Sequence, residues 1–394
     1  MLPSYYEFHN PVKIMSGHKA LDNLPSELEM LGAKCPMVIT DKGVAGAGLV
    51  KIFTQSFDSS AMTIGAIFDD VPPDSSSEVV ERITSIFKKN RCDSLIALGG
   101  GSVIDTAKGV NILVTENSDD LLQFSGAEML KKKMKPLVVI PTTSGTGSEV
   151  TVVAVISDVK RNLKMAFSST RLLPDIALLD PRMTLTLPPK MTAATAMDAM
   201  SHAVESFINL QKNPMSDAYA LAAIEMIRNN VIKAVSDGND ASVRLAMANA
   251  STMAGIAFSN SMVGVVHSLG HAAGGICHIP HGVAMNIFLP FGLEYNMSKC
   301  RENIGRLLLP VAGADVYART PESRRAEQMI HYLRELGKAL NDLCDLPLNL
   351  KQAGVTEDKL PQIAKAAIND PSLIMNPREM DENDALAILE KAFA

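Results

Sequence analysis

LIALGGGSVIDTAKGV, residues 95–110, carries the pattern on which the fold turns. Leu95-Ile96-Ala97-Leu98 is a short apolar run, Gly99-Gly100-Gly101 stops it, and Ser102 opens a stretch with helical spacing. A short apolar run bounded by turn residues is what a strand buried on both faces looks like. Consecutive glycines let the backbone come close to a ligand and reach positive φ. A helix beginning there offers free N–H groups and a partial positive charge, which suits a pyrophosphate. The same string also fits a plain strand-to-helix turn, and it is not the GxGxxG pattern of the common dinucleotide fold.

Other runs share its grammar. Met37-Val38-Ile39-Thr40 ends at Asp41, Leu137-Val138-Val139-Ile140 at Pro141, and Ile176-Ala177-Leu178-Leu179 at Asp180-Pro181. Segments such as Ser77–Asn90 have the spacing of intervening helices. This alternation predicts a doubly wound α/β domain with a parallel sheet. PTTSGTGSEVT, residues 141–151, follows one of the strands and gathers the hydroxyls of Thr142, Thr143, Ser144, Thr146 and Ser148 around Gly145 and Gly147. Two such loops after neighbouring strands favour a nucleotide crevice over two unrelated turns. Asp41, at a strand end, is placed either to accept bonds from the ribose hydroxyls of NAD or simply to make a turn.

After Pro188-Pro189 strand patterns stop and long helical stretches follow. Thr192 is expected to cap a helix running to about Leu210, Thr320-Pro321-Glu322 to open another, and Thr356 and Asp381 to cap two more. A chain of 394 residues exceeds the size of a single core, which rarely grows past about 250–300 residues. The expected domains are 1–185, an α/β domain with a nucleotide crevice, and 186–394, an all-helical domain.

Composition excludes several classes. Apolar residues make up 47% and charged residues 20%, a folded rather than disordered balance. The net charge is −6 and the densest basic block is only Lys131-Lys132-Lys133, so no groove for nucleic acid is expected. No apolar run is long enough for a membrane span, and the opening MLPSYYEFHN lacks the pattern of a secretion signal. Five scattered cysteines without a CxxC pair fit free thiols in a reducing cytoplasm. The 22 methionines read as core filler.

Of eight histidines, five lie between 202 and 281. In TAMDAMSHAVE, Asp198 and His202 are four apart on a predicted helix, hence on one face. In VVHSLGHAAGGICHIPHG, His267 and His271 repeat that spacing. The helix is expected to end at Gly274-Gly275, with Pro280-His281 beyond it in a tight turn. One carboxylate and several imidazoles from two helices and a loop make a three- or four-ligand site for a divalent metal. A lone pair of this kind is often only a capped or solvated helix face. Together on apolar helices these groups need partners. His278 is the weakest member, and His9, His18 and His331 have no neighbouring ligand.

GGGSVIDTAK, PTTSGTGSEVT, TAMDAMSHAVE and GVVHSLGHAAGGICHIPHGVA together resemble the iron-containing, or group III, alcohol dehydrogenases, and the likeness runs from VKIMSG (12–17) to NPRE (376–379). The resemblance implies a dehydroquinate synthase-like architecture: a doubly wound dinucleotide-binding α/β domain, then a helical metal-binding domain. It implies Asp198, His202, His267 and His281 as metal ligands, and His271 as a proton relay near the nicotinamide. Cofactor residues implied in the same way are Asp41, Gly99, Gly100, Gly101, Ser102, Asp105, Thr142, Thr143, Thr146, Ser148 and Lys164, with Phe258 bordering the substrate pocket. The implied reaction moves a hydride between NAD(H) and a small primary alcohol or diol. The implied metal is Fe²⁺, although the ligand types suit Zn²⁺ equally, and the implied assembly is a homo-oligomer. The rival readings are a zinc-dependent polyol dehydrogenase of the same fold and a catalytically silent nucleotide- and metal-binding protein. Many relatives carry Pro-Asn-Pro-Thr where this chain has Pro72-Pro73-Asp74-Ser75.

Overall fold

The computed structural model describes residues 3–158, 160–161 and 163–394. The chain divides into two compact units, residues 10–187 and residues 1–9 with 188–394. The N-terminal residues thus group with the helices and not with the α/β part assigned to 1–185. Phe8 stacks on Tyr219 at 5.8 Å, and the His9 N–H donates to Asn260 Oδ1 at 2.7 Å.

The strands of the first unit are β1 (Lys13–Ser16), β2 (Pro36–Ile39), β3 (Ala66–Phe68), β4 (Ser94–Gly99), β5 (Gly126–Ala127), β6 (Leu137–Pro141), β7 (Val153–Asp158), β8 (Leu163–Ser168) and β9 (Ile176–Leu179). Six form a parallel sheet in the order β1-β9-β6-β4-β2-β3. Its strands are continuously apolar because successive side chains feed opposite cores. Leu95 and Ala97 of β4 face one core with Met37 and Ile39, while Ile96 and Leu98 face the other with Val38. Short helices α1 (Leu24–Met30), α2 (Lys42–Gly46) and α3 (Leu49–Gln55) precede α4 (Ser77–Lys89) and α5 (Gly101–Glu116). The hairpin of β7 and β8, with β5 at its edge, forms a second, three-stranded sheet that the apolar runs did not announce. The register places Gly99 of β4 beside Pro141 of β6, with β2 on the other side of β4. Asp41, the glycine turn and the hydroxyl loop therefore leave three adjacent strands at their carboxyl ends.

The second unit is built from α6 (Pro189–Ile208), α7 (Pro214–Ser236), α8 (Ala241–Ser259), α9 (Val265–Cys277), α10 (His281–Arg306), α11 (Leu308–Ala312), α12 (Ala314–Arg319), α13 (Arg325–Cys344), α14 (Leu360–Ala367) and α15 (Glu382–Phe393). Several ends differ from the reading of the sequence. α6 starts at Pro189, and Thr192 lies inside it with its hydroxyl donating back to Pro188 O at 3.0 Å. The preorganised φ of Pro189 at the first turn makes a hydroxyl cap unnecessary. α9 runs through Gly274-Gly275 and stops at His278, which takes the left-handed conformation at φ 57°. His278 is thus a helix terminator, and His281 begins α10 rather than sitting in a turn. Near Thr320 and Thr356 the chain first makes 3₁₀ turns, 322–324 and 357–359, before α13 and α14. Asp381 caps α15 as expected, accepting from the Asp384 N–H at 2.8 Å. Among the described residues no helix is long and apolar enough to cross a membrane.

Candidate metal centre and nucleotide-facing loops

The three glycines are needed for room, not for backbone conformation: none of Gly99, Gly100 and Gly101 has positive φ. A methyl at Gly99 would stand 2.6 Å from Val103 Cβ, and one at Gly101 would stand 3.0 Å from Thr146 Cγ2. The hydroxyl loop thus lies directly against the start of α5, whose N-terminus carries no side-chain cap. Thr143 and Thr146 are half-buried on it, and Thr142 is buried. The Ser102 hydroxyl donates to Pro73 O. In the departing segment Ser75 Oγ meets Thr106 Oγ1 at 2.8 Å and Ser75 O accepts from the Ser157 N–H. That segment is therefore tied down over α5 by bonds of its own.

Asp105 and Ser148 serve inside this arrangement. The Asp105 carboxylate accepts from Ser148 Oγ at 2.9 Å and from the Val155 N–H at 3.0 Å. One turn on, Lys108 is fully buried, and its ammonium donates to the carbonyls of Ser148, Thr151 and Val153 at 2.8–2.9 Å. Burial pushes that ammonium down to about 8, with Asp105 and Glu149 pulling the other way. Lys108 drew no notice in the sequence, although it follows Asp105 at helical spacing. Asp41 is half-buried and caps α2, its Oδ1 accepting from the Val44 N–H at 2.9 Å. Lys164 is exposed on β8, opposite Ser157 of β7.

In the helical unit, Asp198 and His202 of α6, His267 of α9 and His281 of α10 converge, with one donor atom of each lying within 4.8 Å of all the others. Asp198 Oδ1 is 3.2 Å from His281 Nε2 and 3.8 Å from both His202 Nδ1 and His267 Nε2. Asp198, His202 and His267 are buried, and His281 is partly open. Asp198 Oδ1, His202 Nδ1 and His267 Nε2 have no hydrogen-bond partner. Orphaned buried polar atoms are rare and costly, and three aimed at one point fit a divalent cation. Burial holds the His202 imidazole down at about 3, and His267 well below its ordinary value. Both are thus in the neutral form that metals bind. Burial alone would raise Asp198, but the facing imidazoles of His202 and His281 hold it below the usual carboxylate range.

The surrounding residues complete the site. Phe258 stacks on His202 at 4.1 Å and 15°. His271, one turn after His267, stands outside the four-atom cluster, with its ring stacked on His281 at 5.3 Å. It is 44% exposed at the side chain, and its Nδ1 meets Asp370 Oδ2 at 2.9 Å. Asp370 Oδ1 accepts from the Ser372 N–H at 2.8 Å. Glu205, a further turn along α6 from His202, meets His267 Nδ1. Neither Asp370 nor Glu205 had been singled out. Asp370 is 99 residues from its partner and carries no local signal, whereas Glu205 falls on the Asp198 stripe at i+7.

A parallel α/β unit joined to helices that hold this donor set has the build of a metal-dependent dehydrogenase. Residues 11–181 match the profile of iron-containing alcohol dehydrogenases, and residues 192–393 match the C-terminal profile of the Fe-containing alcohol dehydrogenase family. The chain belongs to the iron-containing alcohol dehydrogenase family. It is 35% identical to long-chain-alcohol dehydrogenase 1 of Geobacillus thermodenitrificans over 383 residues, 96% of this chain and 94% of that protein. Identity to the NAD-dependent methanol dehydrogenase of Bacillus methanolicus is 32% over 385 residues, 98% of this chain and 99% of that one. A solved 1,3-propanediol oxidoreductase superposes with a TM-score of 0.94 at 33% identity, covering 99% of this chain and all of the other.

Proposed function

We propose that this chain transfers a hydride between NAD(H) and small primary alcohols or diols, using Fe²⁺ held by Asp198, His202, His267 and His281. The observation that carries the reading is the convergence of four donor atoms, three of them buried and without hydrogen bonds. Family membership supports iron, and the NAD-dependent methanol dehydrogenase supports the cofactor. When bound, the metal supplies a Lewis acid that polarises the substrate oxygen and makes the alcohol more acidic. NAD supplies the hydride acceptor. Phe258, packed on His202, gives the alcohol's carbon chain an apolar wall. His271 uses Nδ1 for Asp370, which leaves Nε2 to take the alcohol's proton from a water or ribose hydroxyl and release it to solvent. The uncapped start of α5, with the threonines of the adjoining loop, takes the pyrophosphate. By correspondence with the family, Lys164 contacts the cofactor. We place the enzyme in the cytoplasm as a homo-oligomer, on the free thiols and the family likeness respectively.

The test is NADH formation from a panel of primary alcohols and diols after anaerobic loading with Fe²⁺ or Zn²⁺. Turnover with Fe²⁺ is expected. Restoration by Zn²⁺ alone would reassign the metal, and no turnover by any loaded form would refute the reading.

Asp41 sets cofactor preference in this scheme. Its Oδ1 caps α2, so Oδ2 remains for the ribose hydroxyls. The 2′-phosphate of NADP carries about 1.5–2 negative charges. At ~4 Å from a carboxylate each charge costs about 1 kcal/mol in water and about 4 at an effective dielectric of 20. Discrimination on the order of tenfold or more follows, since about 1.4 kcal/mol is tenfold. Asp41→Gly is expected to admit NADP and weaken NAD, at only a few tenths of a kcal/mol in lost capping. The ratio of kcat/KM for the two cofactors is the readout, and an unchanged ratio would remove Asp41 from the ribose.

Asp370 orients His271. Asp370→Asn keeps an oxygen for the Ser372 N–H but turns an NH₂ donor toward His271 Nδ1, which favours the tautomer with its proton on Nε2 and so blocks the relay. A fall in kcat of roughly ten- to a hundredfold is expected, below the 10²–10⁴ that proton transfer itself is worth, with metal content unchanged. Steady-state kinetics with metal analysis decide it. An unaltered kcat would leave Asp370 only as the cap of the turn at 371–375.

A further inference from the structure

Glu205 is fully buried on α6, seven residues after Asp198 and three after His202, so one helix face carries all three groups. Its Oε2 meets Nδ1 of His267 on α9, and its Oε1 accepts from the Val266 N–H at 2.8 Å. α9 is preceded at its capping position by a glycine, Gly264, which supplies no side-chain cap. A methyl there would stand 3.1 Å from Glu205 Oε1 and 2.6 Å from Asn376 Oδ1. The missing side chain lets the first turn of α9 settle onto the carboxylate. We propose that Glu205 is a positioning residue for the metal: by accepting the Nδ1 proton of His267 it keeps Nε2 bare and aimed at the point shared with Asp198, His202 and His281. This rests on the metal reading of that cluster.

The tautomer follows from the hydrogen bond. An imidazole whose Nδ1–H is donated to a carboxylate has its lone pair on Nε2, the atom that is orphaned here. Such a partner also raises the basicity of the ligating nitrogen and fixes the ring plane. Glu205→Gln reverses the arrangement. If the amide oxygen keeps the Val266 N–H, the NH₂ group faces Nδ1, and the favoured tautomer then puts the proton on Nε2, where the metal must bind. If the amide turns over, its NH₂ opposes the Val266 N–H and that bond is lost.

A role confined to capping α9 and a role toward the metal separate in one experiment. Metal-free wild type, Glu205→Gln and Glu205→Asp are titrated with Zn²⁺ against a chelator and with Co²⁺ by visible absorption. Melting of the metal-free proteins and NADH affinity serve as controls. We expect one metal per wild-type chain and a 10–100-fold weaker affinity for Glu205→Gln, the range typical of such partners. The Co²⁺ spectrum should change, with metal-free melting and NADH affinity unaltered. Wild-type affinity and spectrum in Glu205→Gln would overturn the proposal. Should Glu205→Gln also unfold, Glu205→Asp decides: near-wild-type affinity with the charge retained supports the proposal, and loss of metal and of metal-free stability together overturns it. Failure of the wild type to take up either ion would strike at the metal reading itself, a distinguishable result.

Discussion

Replacing His267 with alanine is expected to empty the proposed metal centre and to remove nearly all turnover, while the helical unit stays folded. The substitution takes away one of four converging donors and leaves Asp198 Oδ1 and His202 Nδ1 facing a wider polar space that water can enter. A Lewis acid is worth several kcal/mol of transition-state stabilisation. Its loss lowers kcat/KM on the order of a thousandfold or more, since each 1.36 kcal/mol is tenfold. His281→Ala should act in the same direction, although its side chain is partly open and fewer buried contacts change. Metal analysis of the purified variants with steady-state rates is the measurement. Full occupancy with normal turnover would dissolve the assignment of these ligands.

The second large effect is expected in the other unit, far along the sequence from any ligand. Lys108→Met keeps the apolar stem and deletes the ammonium that draws the carbonyls of Ser148, Thr151 and Val153 together. It also strips Asp105 of its nearest positive charge. Hydrogen bonds to charged groups are worth about 1.5–3 kcal/mol each, and unmatched buried acceptors cost a similar amount. Allowing for non-additivity, a loss of roughly 3–5 kcal/mol follows, which at about 2–4 °C per kcal/mol lowers the melting temperature by roughly 10 °C. Because the loop so loosened is the one carrying Thr142, Thr143 and Thr146, NADH affinity should fall with it while metal content holds. Calorimetry and NADH fluorescence titration read both quantities. If neither moves, water has replaced the ammonium and the loop does not depend on Lys108.

Much of this arrangement was legible because it is periodic. β2, β4, β6 and β9 announce themselves as apolar runs since each feeds two cores, and the runs end where the loops of interest begin. Asp198 and His202 share a helix face at i,i+4, and they do stand together with His267 and His281. What escaped depends on partners remote in the chain. Glu205 and His267 are 62 residues apart, and Asp370 and His271 are 99. The hairpin of β7 and β8 was hidden because its exposed positions, such as Val155 and Leu163, are themselves apolar and blur the alternation. The end of α9 was misplaced because glycine is the usual left-handed terminator. Here two glycines remain helical and a histidine takes that conformation.

The packing of the helices that carry the ligands has a last consequence. A methyl at Gly282 would stand 2.2 Å from the Ala194 carbonyl oxygen of α6, and one at Gly292 would stand 2.5 Å from Val266 Cγ2 of α9. α10 therefore rests at Gly282 on the main chain of α6 and at Gly292 on the Val266 side chain of α9, with no side chain of its own between. The two glycines set how closely α10 can approach α6 and α9, the helices that carry the other three donors. A side chain at either position would push α10 off its neighbour and carry His281 away from the donors on α6 and α9. The gathering of the four donors thus depends on two absent side chains, neither of them on a ligand.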